Sequence, residues 1–254
     1  MVARMVDLVR QYPRYGYRRM WALLRREGWE VNRKRIHRLW RREGLRVPRK
    51  VTKKTRLGCG ANACTRRRPE GKDHVWAWDF IHDRTAHGGA LKWLTVVDEF
   101  TRECLVLRAA RSITAEDVTD ELIGLFRRRG APQHIRSDNG PEFIAGHLRR
   151  WLGKASVRPL YVEPGAPWEN GYAEAFHSRL RDELLNVEEF ASVREAKALA
   201  TAWKEHYNRH RPHGSLGYRT PAEFADACSA PGLGSLALPQ NTLSSRRTLI
   251  ATGT

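Results

Sequence analysis

Cysteine is scarce in this chain of 254 residues. Cys59, Cys64, Cys104 and Cys228 are too few and too irregularly spaced for a disulfide framework, and the pair at 59 and 64 has no second ligand pair nearby to complete a structural zinc site. Long apolar runs are missing as well. No stretch of eighteen apolar residues occurs, and no apolar segment near the N-terminus precedes a small-residue cleavage site, so neither a membrane span nor a secretory signal is supported. The expectation is a cytoplasmic, nucleoid-associated chain. Acidic residues are rare where basic ones crowd: residues 1–72 hold 23 Lys and Arg against 5 Asp and Glu, which leaves 23 of each for the rest. The whole net charge of +18 therefore sits in the first 72 residues. Solubility does not require such asymmetry, whereas neutralising nucleic-acid phosphates requires clustered cations.

What is present supports folded domains rather than a solvated basic tail. Hydrophobic residues make up 41% of the chain, nine of them Trp, enough for a small domain and a larger one. Tyr17, Met20, Trp21 and Leu24 recur at i, i+3, i+4 and i+7, an apolar helical stripe that Gly28 interrupts. Asn32 can cap a second helix with Ile36, Leu39 and Trp40 buried, leaving Arg33, Lys34, Arg35, Arg38, Arg41 and Arg42 facing outward. Two short helices joined through a glycine turn, the second studded with arginines, suit a helix-turn-helix domain over residues 1–47; a basic hairpin packed on the rest of the chain is the alternative. Residues 48–72, rich in Lys and Arg, read as a basic linker.

From His74 the pattern changes. Val75–Ile81, Leu91–Val97 and Cys104–Ala109 read as strands of an antiparallel meander, connected at Gly88-Gly89 and Thr101-Arg102. A helix over Ile113–Arg129, a strand at His134–Ser137, a helix near Phe143–Leu152 and a strand at Arg158–Val162 then alternate, and helices over Asn170–Leu185 and Ser192–Tyr207 follow. The expected architecture over residues 73–228 is α/β, a mixed sheet flanked by helices. Residues 229–254, rich in Ala, Gly, Ser, Pro and Thr without periodicity, read as a disordered tail.

Three acids stand where such a sheet can gather them. Asp79 interrupts the apolar run Trp76-Ala77-Trp78-Asp79-Phe80-Ile81, where a carboxylate is costly unless paired or metal-bound. Asp138 follows the strand His134–Ser137 at its C-terminal edge, and Glu174 lies in the helix after the loop Pro164–Pro167. Taken singly, each has a plain structural reading: a partner for an arginine, an Asx turn, a surface helix position. Together, three carboxylates without Cys or His favour Mg²⁺ or Mn²⁺. Two such ions about 4 Å apart can activate a water or a DNA 3′-hydroxyl for in-line displacement at phosphorus.

These residues are similar to those of a known family. Tyr15-Gly16-Tyr17-Arg18, Val75-Trp76-Ala77-Trp78-Asp79-Phe80, Val96-Val97-Asp98-Glu99-Phe100-Thr101-Arg102-Glu103, Ser137-Asp138-Asn139-Gly140-Pro141-Glu142-Phe143, Asn170-Gly171-Tyr172-Ala173-Glu174, Leu180–Asn186, Tyr207-Asn208 and Arg211-Pro212-His213 resemble the OrfB-type transposases of insertion-sequence family three. Asp138 and Glu174 enclose 35 residues, the family's spacing, and Arg181 follows Glu174 by seven, where the family has a basic residue. The resemblance implies an RNase H-like integrase core with Asp79, Asp138 and Glu174 as catalytic metal ligands, and Arg181 placed to contact DNA. It assigns Asp98 a structural or supporting role, and has Asn139 and Asn170 orient the acids or the DNA. His177, three residues after Glu174, is within reach of the site, with a plain helical histidine as the favoured alternative.

Family members work as a frameshift fusion with an upstream OrfA frame carrying a leucine zipper. No sustained heptad run occurs here, so the chain reads as the downstream product alone or a part of it. The His-His-Cys-Cys zinc module of retroviral integrases is also missing, which argues against that closer assignment. The implied activity is nicking at insertion-sequence ends and transfer of the 3′-hydroxyl to another strand. The implied partners are double-stranded DNA (terminal repeats and target), further copies of the chain on DNA, and an OrfA product. A nuclease that cuts without joining and a DNA-binding regulator with an idle core are the competing readings.

Overall fold

A computed structural model describes residues 1–47, 68–137, 146–161 and 170–229. Three short helices open the chain: α1 (Val2–Gln11), α2 (Tyr17–Arg26) and α3 (Arg33–Arg42). Their shared core is Met5, Leu8, Tyr15, Met20, Leu24, Val31, Ile36 and Trp40. The turn between α2 and α3 depends on Gly28, whose φ of 86° favours a residue without a Cβ. Trp21 Nε1 donates to the Val31 carbonyl across that turn at 2.8 Å. Asn32 caps α3 as expected, its side chain accepting the Arg35 N–H at 2.8 Å. Arg33, Lys34, Arg35, Arg38, Arg41 and Arg42 are all exposed on α3. The sequence reading did not single out α1.

Beyond it stands a five-stranded sheet of β1 (Val75–Arg84), β2 (Ala90–Asp98), β3 (Cys104–Ala110), β4 (His134–Ser137) and β5 (Arg158–Tyr161), in the order β3-β2-β1-β4-β5. β1–β2 and β2–β3 pair antiparallel, while β1–β4 and β4–β5 pair parallel, the mixed sheet anticipated. Helices α4 (Ala115–Arg129) and α5 (Gly146–Lys154) cover one face, where Trp76, Trp78, Leu94 and Val96 meet Val118, Leu122, Leu148 and Leu152. Helices α6 (Gly171–Leu180) and α7 (Val193–Arg209) cover the other, where Ile81, Trp93 and Val97 meet Phe176, Leu180, Trp203 and Tyr207. Side chains alternate along a strand, so Asp79, between Trp78 and Phe80, falls on the α6 side with Ile81. Covering on both faces is why the β1 sequence is almost continuously apolar.

Most element bounds differ from the sequence reading by a few residues. α4 starts at Ala115 rather than Ile113 because Thr114 and Asp117 form a capping box. The expected single helix over 170–185 is regular only to Leu180, and Arg181–Leu185 continue it as a π turn. A final helix, α8 (Pro221–Ser229), follows a short 3₁₀ turn at Gly214–Leu216, and Leu216, Phe224 and Phe100 pack together. Residues 230–254, expected to be disordered, lie outside the described residues. Among the described residues no helix is long and apolar enough to cross a membrane.

Candidate active site

The register of β1 with β2 sets Asp79 opposite Thr95, both on the face beneath α6. Asp79 Oδ1 accepts the Phe80 N–H at 2.7 Å. Its other oxygen, Oδ2, lies 3.4 Å from Asn170 Nδ2 and 3.6 Å from His177 Nδ1. Asn170 is the N-cap of α6 and His177 lies two turns along it. Positions 170, 174 and 177 stand at i, i+4 and i+7, a single helical face. Both ends of that stripe touch Asp79, and Glu174, solvent-exposed, lies between them. α6 is thus laid across β1 with its polar face toward the carboxylate. The side next to that stripe is anchored on the sheet by Phe176 and Leu180, each contributing about 1.5–3 kcal/mol by burial.

His177, for which a plain helical histidine was the favoured reading, lies beside Asp79 and Thr95. Its ring is buried, and Nε2 lies 2.8 Å from the Thr95 hydroxyl, which is also 3.0 Å from the Asp79 carbonyl. Burial, with the cation of Arg181 nearby, pushes its pKa down to about 4, so at neutral pH it meets Asp79 as a neutral ring. Arg181, exposed where α6 passes into the π turn, is one turn beyond His177. Thr95 was not singled out from the sequence. Its only local signal is a hydroxyl on a buried strand, and the partner that gives it a role is 82 residues away.

Asp138 and Asn139 lie outside the described residues. β4, hydrogen-bonded beside the strand that bears Asp79, ends at Ser137, one residue before Asp138. Among the described residues no three His, Cys, Asp or Glu side chains converge closely enough to hold a metal ion. The donors at hand are carboxylate oxygens of Asp79 and Glu174, together with Asn170 Oδ1, a buried oxygen with no hydrogen-bond partner. Hard, oxygen-only donors of this kind suit Mg²⁺ or Mn²⁺ and not a thiophilic metal.

Asp98 has the structural role expected of it. Fully buried at the end of β2, it accepts the N–H groups of Asp73, Phe100 and Thr101 at 2.7–3.0 Å, and Arg129 Nη2 lies 3.5 Å away. Burial pushes its pKa up to about 6, against those hydrogen bonds.

Several motifs far apart in sequence meet behind α6. Glu183, in the π turn, is gripped by Arg211 through Nε at 2.7 Å and Nη2 at 2.6 Å, and Arg19 of α2 joins it at 3.2 Å. The Arg211 guanidinium lies near the rings of Tyr15 and Tyr207, and its Nη1 is 3.1 Å from His213 Nε2. Tyr15 Oη is 2.8 Å from His206 Nε2. Asn208 accepts the Cys104 N–H and donates to the Cys104 carbonyl, both at 2.9 Å, which ties the end of α7 to the edge strand β3. These contacts seat α1–α3 directly against the turn that continues the Glu174 helix.

Comparison with known proteins agrees with this architecture. The family description "Integrase core domain" matches residues 69–167 and 155–221, and "HTH-like domain" matches residues 3–53. The insertion element IS407 uncharacterized 31.7 kDa protein of Burkholderia multivorans is 38% identical over 225 residues, 89% of this chain and 80% of that protein. Transposase InsD for insertion element IS2 of Escherichia coli is 29% identical over 248 residues, 92% of this chain and 80% of that protein. Among solved structures, a simian T-cell lymphotropic virus intasome chain shares the fold with TM-score 0.54 and 14% identity, over 85% of this chain and 74% of its own. The HTLV-2 integrase catalytic core domain in complex with magnesium has TM-score 0.50 and 15% identity, over 62% of this chain and 99% of its own. The sheet is therefore the RNase H-like sheet of integrase cores. An integrase core behind an HTH-like domain, in a chain aligned over most of its length with insertion-element proteins, identifies it as a DNA-acting transposase of the OrfB type of insertion-sequence family three.

Proposed function

We propose that this transposase nicks DNA at the ends of its insertion sequence and transfers the freed 3′-hydroxyl to another DNA strand, with Asp79, Asp138 and Glu174 as its catalytic carboxylates. The observation that carries the reading is the placement of Glu174 on the one face of α6 whose two ends, Asn170 and His177, both touch Asp79. A carboxylate under a helix otherwise held by apolar packing has little structural value, and its desolvation is offset only by the groups that converge on it.

In this reading Asp79, Asp138 and Glu174 hold two Mg²⁺ or Mn²⁺ ions; the HTLV-2 core, named for its complex with magnesium, lends support to a divalent metal by shared fold. When bound, such ions supply positive charge to the attacking and leaving oxygens at phosphorus. The protein's own part is positional. Asn170 donates to Asp79 and so fixes its rotamer, His177 packs beside the carboxylate, and Thr95 fixes the His177 ring. His177, neutral, adds no cation that would compete with a metal. Arg181, two turns beyond Glu174, is placed to hold a backbone phosphate. Residues 1–47, with the exposed cations of α3, would recognise the terminal repeats, residues 48–72 would add phosphate contacts as a basic linker, and residues 73–228 would form the catalytic unit. Copies of the chain would assemble on paired ends, with an OrfA product as a further partner.

The test is cleavage and joining on labelled DNA carrying the element's own ends, in Mg²⁺, Mn²⁺ or EDTA. Glu174→Gln and Asp79→Asn should each lower both steps by about a thousandfold or more while DNA binding persists. Cleavage without joining would leave a nuclease, and binding unaffected by metal with no cleavage in any condition would leave a regulator.

A further inference from the structure

Arg102 occupies a position that suits it poorly. It sits in the β2–β3 turn with φ of 66°, a left-handed conformation that glycine adopts freely and arginine does not. Its guanidinium stacks on the Tyr172 ring, with Cζ 3.8 Å from the centroid, and its Nη1 is buried with no hydrogen-bond partner. Buried donors without partners are rare in folded proteins, and one on a permanently charged group calls for an acceptor. The side chain lines a cavity of about 340 Å³ between α6, the β2–β3 turn and the 3₁₀ turn, shared with Arg179, Phe176, Tyr207, His213 and Ser215. No Asp or Glu is among the described residues that line it. Arg179 spends one donor on the Ala175 carbonyl at 2.6 Å and retains the others.

A cavity rich in donors and with no acid among its described lining residues, holding two guanidinium forks, fits a tetrahedral oxyanion with several acceptor oxygens. We infer that it is a phosphate-binding subsite, occupied by a backbone phosphate of DNA. Tyr172 and Arg179 lie about 140–160° around α6 from Glu174, so the subsite faces away from the carboxylates. It therefore holds a stretch of DNA other than the one being cut, as an enzyme that brings two DNA segments together requires. This assignment rests on the strand-transfer reading above.

The full-length chain is compared with Arg102→Gly, a substitution that relieves the left-handed backbone and so keeps the fold, as thermal unfolding would verify. Affinity for duplex DNA is measured against salt concentration, and inorganic phosphate is titrated calorimetrically at low ionic strength. Loss of one phosphate contact should make the slope of log affinity on log salt shallower by about 0.9, and the variant should lose phosphate heat that the unsubstituted chain shows. Loss of phosphate heat with an unchanged DNA slope assigns the subsite to free phosphate and overturns the DNA assignment. No change in either, with the variant folded, overturns the subsite altogether. Should the unsubstituted chain fail to bind or cleave DNA, the strand-transfer reading fails, and the phosphate titration still decides the subsite.

Discussion

His213 is closed in by the edge of the Tyr207 ring and the Arg211 guanidinium, whose Nη1 is 3.1 Å from its Nε2. That nitrogen must accept, so the ring is neutral, and burial beside Arg211 sets its pKa well below 6.5. The unfolded chain takes up a proton as pH falls through 6.5, whereas the folded chain does not. Stability conferred by neutral His213 is thus complete above 6.5 and is lost as pH falls toward the folded value, at about 1.4 kcal/mol per pH unit. His206 shifts in the same direction and steepens the slope. Urea unfolding between pH 7.5 and 5 should show His213→Gln flattening the dependence by one proton; an unchanged slope would mean the ring is protonated in the fold. Side chains such as this one were legible only as members of motifs. Asp79 could be picked out because a carboxylate in an apolar strand is locally anomalous. Nothing local distinguishes His213, Thr95 or Arg102, whose meaning comes from partners or a backbone angle that the fold creates.

At the end of the helix that bears Glu174, the π turn Arg181–Leu185 delivers Glu183 to Arg211 and Arg19. The Glu183 side chain is 7% exposed and Arg211 1%, so neither charge can be solvated if its partner is removed. Glu183→Ala should cost about 3–5 kcal/mol, seen as a lower urea midpoint, whereas an exposed pair such as Arg209–Glu205 would cost well under 1 kcal/mol. Sequence period alone predicted one uninterrupted helix here, since a π turn disturbs the spacing by a single residue. Strand order was within reach, because hairpin turns and alternation mark the meander and the following helices force parallel pairing. α8 was also within reach and was not read. Thr220-Pro221-Ala222-Glu223 combines proline at the first helical position with a reciprocal cap, Thr220 N–H to Glu223 Oε2 at 2.7 Å and Glu223 N–H to Thr220 Oγ1 at 3.2 Å. α1 carried no such signal, having no side-chain cap and no acid in its first turn.

The chain divides its labour by charge: the excess cations lie in residues 1–72, and the rest is balanced. Yet the two parts are not merely strung together. Tyr15 reaches His206, Arg19 reaches Glu183 and Arg26 reaches Glu223 at 2.6 Å, contacts that span 164 to 197 residues of sequence. Polar contacts of this kind orient two bodies more than they glue them, since each bond is directional. The consequence is metrical. On the function proposed above, a DNA-reading helix on a loose tether would allow a nick wherever the tether reached, whereas one clamped to the body that carries Glu174 would make the protein a ruler, with a fixed number of base pairs between the sequence read and the bond broken. Lengthening the connection within residues 48–67 should then leave the nick at the same nucleotide, and Arg19→Ala combined with Tyr15→Phe should spread it over neighbouring positions on a sequencing gel.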